Sequence, residues 1–588
     1  MPLTSEQVAQ QRKEAEELLF SGPQKLGFAK ALFFGHFNGS LLFPYPEIKP
    51  EERDLVAEKV AAVRQFVDTR LDAAAIDRNA EIPPEIVAGL GELGVLGMTA
   101  PREHGGQGLS QLANCRVMEV IGEHCASTAV FVNAHHSIGI RALLLFGSDE
   151  QKRRWLPGLA SGRQLAAFAL TEPEAGSDAA NVQATATPTP DGKTFILNGE
   201  KRYITNGGIA QVLTVMARTP VPGSKESKIT ALLVTPDLPG FEVVEARMPK
   251  CGIRGTATAR LAFHNMPVPA ENVLGQVGKG LKIALTVLDF GRTTFGASCA
   301  GAAKACLNAA IRHANTRVQF KQKLAEFELV KKKIANMAAY AFAMEATVSQ
   351  CAAFIDRGAE DYMLETAMLK VWSTEALWQL VNDVIQIYGG SAYFTDKPYE
   401  RWMRDARINQ IGEGANDVLR AFIAMVGMKP VGDQLLGVKN ALSHPFRDFN
   451  TLWTFGRKQV ESRVWTPEVP VRSPSLRSEA HELGKRVGEF GRAAQGILMR
   501  YREAILERQY VQERIADAAC DLYAASCTLS RLDSLLDHGN GNAEEMNREV
   551  TAGRYFLRQA SRRVRQNLLA LHDNDDAMTT ETANAYLK

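Results

Sequence analysis

The stretch Ile408-Asn409-Gln410-Ile411-Gly412-Glu413-Gly414-Ala415-Asn416-Asp417 places one carboxylate between two glycines. With bare backbone on both sides, a flat group can approach the Glu413 carboxylate and its main-chain N–H together. That pairing suits removal of a proton next to a carbonyl: the carboxylate takes the proton while the N–H stabilises the oxygen. Taken alone, a glutamate between glycines is more often a solvated loop residue. Helical spacing flanks it on both sides, with Leu377 to Tyr388 closed by Gly389-Gly390 upstream and a second run from Val418 downstream.

Three further stretches change its weight. Phe168-Ala169-Leu170-Thr171-Glu172-Pro173-Glu174-Ala175-Gly176-Ser177-Asp178 ends an apolar run in a turn rich in hydroxyls, glycine and acid. Lys201-Arg202-Tyr203-Ile204-Thr205-Asn206-Gly207-Gly208 follows, and Gly389-Gly390 precedes Arg404-Asp405-Ala406-Arg407 and Glu413. In this order the four stretches resemble the acyl-CoA dehydrogenase family, flavoproteins that desaturate acyl thioesters, from about Glu52 to Gly427. The long C-terminal stretch and Phe43-Pro44-Tyr45-Pro46 resemble its very-long-chain branch.

The resemblance implies a mainly α fold with a central β domain: a helical domain, an antiparallel β domain and a four-helix domain, here with an extra C-terminal helical domain. FAD would lie between the second and third. Glu413 would remove the α-proton of a long-chain or very-long-chain acyl-CoA, and the β-hydrogen would leave as hydride to flavin N5, giving a trans-2-enoyl-CoA. The Glu413 N–H and the ribityl 2′-hydroxyl would hold the thioester oxygen, and electrons would pass to an electron-transferring flavoprotein. By the same resemblance, Phe168, Leu170, Thr171, Gly176 and Ser177 border the flavin, Ser177 touching acyl-CoA as well, and Tyr203, Ile204 and Thr205 flank the ring. Tyr203 stands where many relatives carry tryptophan.

Arg317, Gln319, Phe320, Gln386, Gly389 and Gly390 match positions that grip the neighbouring subunit's FAD, so a homodimer is expected. Arginine suits a pyrophosphate through bidentate charge-assisted bonds, and glycine lets backbone approach. Ala415, Asn416 and Asp417 would also border FAD, with Ala415 where the family usually has threonine. Asp289, Arg292, Gly412 and Gly414 match the substrate side; a helix-start salt bridge is the competing reading for Asp289 and Arg292. Very-long-chain relatives place glycine at the positions of Ala129 and Asn133, so larger side chains here could shorten the acyl channel. Two other classes stay open: a non-catalytic assembly or scaffold member of the family, and an acyl-CoA oxidase.

The elements that must position these groups can be read from composition and pattern. At 588 residues the chain exceeds one core, and 45% apolar with 23% charged residues is an ordinary globular balance. A net charge of +2 gives no global field to recommend nucleic acid. Eight scattered cysteines form no CxxC pair and read as buried thiols in a reducing compartment. No uninterrupted apolar run reaches the ~18 residues of a membrane span. The start, Met1 to Glu17, has neither a signal-peptide core nor the acid-poor character of a transit peptide. The expectation is a cytoplasmic protein, with peripheral contact at the inner face of the membrane through its C-terminal unit.

Five segments follow: an extension 1–51, whose aromatics read as docking surface; a helical domain 52–164; a β domain 165–275; a helical domain 276–428 carrying the base; and a C-terminal helical domain 429–588. Leu55, Val56, Val60, Val63 and Phe66 recur at helical steps, and Pro83-Pro84 opens another helix. Thr194–Leu197 and Arg202–Thr205 around Asn198-Gly199 predict a hairpin with a type I′ turn. Small residues from Gly296 to Ala303 predict close helix packing, and long charged helices are expected over 476–537 and 543–571. Phe446, Phe449, Leu452, Trp453, Phe455 and Val460 beside Arg447, Arg457 and Lys458 have the form of a membrane-interface stretch, or of one packed on the protein's own helices. Gly89 to Gly94 satisfies GxGxxG but follows a helical pattern, so it is not read as a dinucleotide site. His135-His136, without a partner at metal-ligand spacing, reads as a satisfied helix-end pair.

Overall fold

The computed structural model describes residues 26–221, 223, 226–442, 465–538 and 542–587. These pack as two compact units. One comprises Glu47–Met337 and Ser373–Ala415; the other holds Ala338–Trp372 with the described parts of 19–46 and 416–588.

In the first unit, the Gln111–His124 helix is started by Ser110, whose hydroxyl accepts the Ala113 N–H at 3.2 Å. It packs on the 37-residue helix Gly280–Thr316. A methyl group at Gly122 would lie 2.6 Å from Ser298 Cα, so glycine is what lets these backbones meet. Between them in sequence runs Ala126–Val132, then a π-helix at Asn133–Ile140, then Arg141–Phe146. By length and composition Ala126–Phe146 could cross a membrane, yet 72% of its apolar window is buried, as in a core helix. Pro84–Glu92 is a helix opened by proline, and it contains most of the GxGxxG run. Gly89 there meets the Phe66 ring, which explains the glycine by packing.

Strands β1 (Ala166–Ala169), β2 (Thr185–Pro188), β3 (Thr194–Ile204), β4 (Val212–Thr219), β5 (Lys228–Val234), β6 (Phe241–Glu245), β7 (Ala259–Pro269) and β8 (Val273–Leu274) form one sheet. Its order is β6-β7-β3-β2-β4-β5-β8, with β1 paired to β4. Most pairs are antiparallel as expected, but β1 and β2 both lie parallel to β4.

The hairpin expected at Asn198-Gly199 is not there. Both residues lie inside the unbroken strand β3, at a register shift against β7. Gly199 has φ +135°, and a methyl group on it would lie 2.7 Å from Ala184 Cα. Asn198 Oδ1 accepts the Asn265 N–H at 2.7 Å. The dipeptide therefore makes a β-bulge, a second use of the same left-handed tolerance. The turn into β3 falls earlier, where Gly192 (φ +69°) donates to Thr189 O at 2.9 Å.

In the second unit, the extension is core. Phe28 to Phe33 form a wholly buried helix, with Phe33 edge-on to Phe490 at 5.0 Å and Phe28 against Tyr523 at 6.1 Å. Ala29 N–H donates to Glu365 at 2.8 Å and Lys30 pairs with Asp361 at 2.8 Å. The single helix expected over 476–537 is two, Arg477–Tyr501 and Gln509–His538, broken where Arg502 adopts φ +50°. Ala543–Ala570 follows, and Asp576–Tyr586 adds a helix that was not expected. The aromatic-basic stretch from Phe446 to Val460 lies outside the described residues. Of the eight cysteines, seven are buried as expected, but Cys251 is exposed.

Candidate active site

Glu413 occupies a backbone conformation that few residues adopt: its φ is +55° and that of Gly414 is +99°. Glycine takes the left-handed region freely and glutamate at a cost, a form of strain that clusters at functional sites. The helix before it, Tyr399–Arg407, is anchored firmly. Arg404 donates to both oxygens of Asp77, at 3.0 and 2.7 Å. The buried Asp405 accepts the Ile253 N–H at 2.6 Å, and burial pushes its carboxyl up to about 6. Gln410 ties the loop to Glu375 at 2.6 Å.

The carboxylate itself turns onto the π-helix. Asn133 Nδ2 donates to Glu413 Oε1 at 2.7 Å. A methyl group at Gly291 would stand 3.0 Å from Oε2, so the Gly280–Thr316 helix approaches the carboxylate through a residue with no side chain. Sequence reasoning gave Asn133 only bulk in a channel. Its bond to Glu413 spans 280 residues, and no local pattern signals it.

The two stretches expected to border the flavin are fastened to each other. Arg202 N–H donates to Thr171 O at 2.9 Å. Lys201, fully buried, donates to Leu170 O at 3.0 Å and to Glu172 Oε1 at 2.6 Å. Burial holds the Lys201 ammonium down to about 8 against the pull of Glu172. Glu172 also accepts the Ala184 N–H at 3.1 Å, so it serves the turn. Alternation along β1 sends Ala167 and Ala169 into the core and leaves Phe168 and Leu170 half-buried. Tyr203 is 57% exposed at φ +60°, with the Arg202 guanidinium over its ring.

Half-open aromatic faces, the hydroxyls of Thr171, Ser177 and Thr205, and open space beside Gly176 fit a flat ring with a polar edge. Ile204 is a correction: its side chain is 2% exposed within the β core, so a cofactor could touch only its backbone.

The π-helix joins these parts. His135 Nδ1 accepts the Ala166 N–H at 2.9 Å and its Nε2 donates to Leu159 O at 3.1 Å. Burial lowers this imidazole to about 4, so it is neutral and both nitrogens serve structure. Asn206, just past the Tyr203 stretch, donates to Phe131 O at 3.1 Å, two residues before Asn133. Glu413 and the Phe168–Tyr203 stretches thus share one support.

Arg317 to Lys323 form a two-residue hairpin at the end of the Gly280–Thr316 helix, pairing Val318-Gln319 with Gln322-Lys323. Phe320 and Lys321 both have positive φ, and Phe320 is 88% exposed. His313 stacks on Tyr388 at 3.9 Å, which brings Arg317 and the Gln386, Gly389 and Gly390 helix end to the same side. An exposed cation, an exposed aromatic and two bare glycines suit the pyrophosphate and adenosine of a dinucleotide.

Asp289 and Arg292 are both buried and bonded to each other at 3.1 Å, nine or more residues into their helix, so they are not a helix-start pair. Gly412 donates to Ile408 O at 2.8 Å. Ala415 is half-buried. In the other unit Asn416 turns inward, accepting from Lys370 at 2.8 Å, while the Asp417 side chain is 98% exposed. A small cavity of about 50 Å³ begins one helical turn beyond Asn133 and Thr294. Ala129, Val130, Phe295, Ser298, Cys299 and Ala302 are among its lining residues.

Comparison with known proteins agrees with this geometry. Three domain families match in sequence: the acyl-CoA dehydrogenase N-terminal domain at residues 51–163, its middle domain at 167–266 and its C-terminal domain at 278–428. The ACAD9/ACADV C-terminal domain matches residues 474–585. The very long-chain specific acyl-CoA dehydrogenase of Rattus norvegicus is 36% identical over 558 residues, 93% of this chain and 84% of that protein. The probable acyl-CoA dehydrogenase FadE10 of Mycobacterium tuberculosis is 33% identical, covering 98% of this chain and 91% of that one. Among solved structures, the acyl-CoA dehydrogenase from Bacillus anthracis complexed with FAD aligns with a TM-score of 0.78 at 26% identity, over 94% of both chains. By sequence and by fold the chain belongs to the acyl-CoA dehydrogenase family, FAD-dependent oxidoreductases that act on fatty acyl-CoA thioesters.

Proposed function

We propose that the protein desaturates long-chain or very-long-chain acyl-CoA to trans-2-enoyl-CoA, with Glu413 as the base, and passes electrons to an electron-transferring flavoprotein. The observation that carries this reading is the Glu413 carboxylate, strained at φ +55° and held by Asn133 on the same support as the Phe168–Tyr203 platform. FAD, when bound, supplies the two-electron acceptor for the β-hydrogen. The chain's own task is to take the α-proton, which is weakly acidic, and to stabilise the thioester oxygen as charge grows there. Glu413 does the first and its main-chain N–H the second; the bare flanks at Gly412 and Gly414 leave room for the thioester. Phe168, Leu170, Thr171, Gly176, Ser177, Tyr203 and Thr205 would hold the flavin ring, and Arg317, Gln319, Phe320, Gln386, Gly389 and Gly390 a neighbouring subunit's dinucleotide. The apolar side chains Ala129, Val130 and Phe295 beyond Asn133 suit an acyl tail.

The test is anaerobic bleaching of the bound flavin by acyl-CoAs of graded length, in the wild type and in Glu413→Gln. The amide keeps the shape and the main-chain N–H but cannot accept the proton, so reduction should slow by at least the ~10²–10⁴-fold of general base catalysis. A Glu413→Gln enzyme reduced at the wild-type rate would refute the assignment. Peroxide formation in air, set against reduction of an electron-transferring flavoprotein, separates a dehydrogenase from an oxidase. A wild type that no acyl-CoA bleaches would favour a scaffold role.

A further inference from the structure

Behind Glu413 lies a chain of polar side chains that the reaction itself does not require. Asn133 is 2% exposed, and Thr294 Oγ1 donates to its Oδ1. Ser137 Oγ is 3.0 Å from Thr294 Oγ1, and His136 Nδ1 is 3.4 Å from Ser137 Oγ. His136 Nε2 accepts the Thr99 N–H at 3.2 Å. Arg141 donates to Thr99 Oγ1 at 2.7 Å and to Gln111 at 3.1 Å.

The hydrogen positions follow from chemistry. Burial, with Arg141 and His135 adding to it, holds His136 well below its ordinary value, so it is neutral with a single N–H. Since Nε2 receives the Thr99 N–H, that hydrogen sits on Nδ1 and points to Ser137. Thr294 Oγ1 is the donor toward both Ser137 Oγ and Asn133 Oδ1, and its one hydrogen is placed here on the nearer of the two, Asn133 Oδ1. The amide of Asn133 has one orientation that avoids facing an acceptor with a carboxylate: Nδ2 toward Glu413. The donors from Thr294 through Asn133 point the same way and end on Glu413 Oε1.

We propose that Asn133, oriented by Thr294, is a positioning residue that holds Glu413 ionised and aimed before the acyl-CoA arrives. The proposal rests on the reading of Glu413 as the base. A donor to a carboxylate favours its charged form, so the bond lowers the pH at which the base is ready. Charged or titratable groups on the elements packed around Glu413 include His135, His136 and Arg141, the mutually bonded Asp289 and Arg292, Arg404 and Asp405 on the preceding helix, and Arg407 and Glu375 beside the loop. None of these replaces the Asn133 amide as a donor in the bonds described above.

The experiment follows flavin reduction in the holoenzyme by hexadecanoyl-CoA, in anaerobic stopped flow at saturating substrate, from pH 5.5 to 9. Asn133→Leu keeps the branched shape and removes the donor. Its acid limb should move up by about 1–2 pH units, the shift expected for one lost charge-assisted hydrogen bond. Asn133→Asp sets a second carboxylate against the first and should move the limb further in the same direction. Thr294→Val removes only the orienting hydroxyl and should give a smaller shift of the same sign, and it keeps the question open to test if the Asn133 variants do not fold. A limb that stays at the wild-type pH in Asn133→Leu or Thr294→Val, or a rate lowered equally at every pH, overturns the proposal. Glu413→Gln separates the two readings. If it is slow while the Asn133→Leu limb is unmoved, only the positioning role fails; if it reduces at the wild-type rate, the base assignment fails first.

Discussion

Lys201→Met should strip the cofactor without damaging the chemistry. The ammonium is fully buried and bonds Glu172 at 2.6 Å and Leu170 O at 3.0 Å, joining the Phe168–Ser177 turn to the Tyr203 stretch. Methionine fills similar space but leaves Glu172 charged, 4% exposed and held only by backbone N–H groups. Removing one partner of a buried ion pair costs about 3–5 kcal/mol, because the remaining charge is uncompensated. If all of that opposes closing of the platform, FAD affinity falls by about a hundred- to several-thousand-fold, at ~1.4 kcal/mol per factor of ten.

The sign of a second change is the sharper test. Glu172→Gln alone should lower flavin content, yet added to Lys201→Met it should recover part of the loss by removing the stranded charge. Flavin absorbance per protein after gel filtration gives the retention, and titration of the apoprotein with FAD gives the affinity. Refilled Lys201→Met should reduce at the wild-type rate with acyl-CoA, since Glu413 is untouched. Wild-type flavin retention in Lys201→Met, or a double variant worse than the sum of its parts, would refute the reasoning.

Arg317→Ala should weaken FAD retention without unfolding the β domain, as read by flavin content and circular dichroism; a fully flavinated, active monomer in sedimentation would refute the homodimer. Ala302→Leu intrudes on the cavity lined by Ala129 and Phe295, so kcat/KM should fall for long acyl-CoAs and hold for short ones, by roughly fourfold per displaced methylene at ~0.8 kcal/mol each. Burial and Asp361 raise Glu365 from 4.5 to about 8. The folded chain therefore keeps a proton that the unfolded chain releases above about 4.5, and stability falls as pH rises from about 4.5 to 8. Glu365→Gln should abolish that fall, and its melting temperature should exceed wild type by more at pH 8 than at pH 5. Removal of residues after Val431 should abolish flotation with anionic vesicles; equal flotation of both forms would place any membrane contact elsewhere.

Much of the site was legible because it is local. The Gly412-Glu413-Gly414 turn, the Phe168–Ser177 turn and the Lys201–Gly208 stretch each carry their signal within a dozen residues. What was not legible depends on long-range contact or on a residue type with two uses. Asn198-Gly199 tolerates positive φ, which serves a hairpin turn or a bulge; only the β7 and Ala184 neighbours choose the bulge. The break at Arg502 carries no proline or glycine, so the helical pattern ran through it. Ile204 followed Tyr203 into the cofactor set because a family position does not say which way a side chain points. Asn133 was missed as a partner of Glu413, since nothing in its own segment distinguishes an amide that bonds a carboxylate from one that fills space.

The π-helix at Asn133–Ile140 makes the protein intolerant of a kind of change that helices elsewhere absorb by sliding. Its wide turn accommodates one more residue than an α-turn, and that surplus sets the angular phase between its two flanks. Losing one residue there would restore α spacing and rotate one flank by about 100°, one residue's share of a turn. Asn133 and His135 stand two positions apart, one bonded to Glu413 and the other to Ala166 at the start of β1. No rotation of the segment preserves both bonds. Insertions and deletions in this lineage should therefore spare residues 133–140 even where the flanking helices vary in length, and a swap of this segment between relatives should succeed only when the phase is carried across whole.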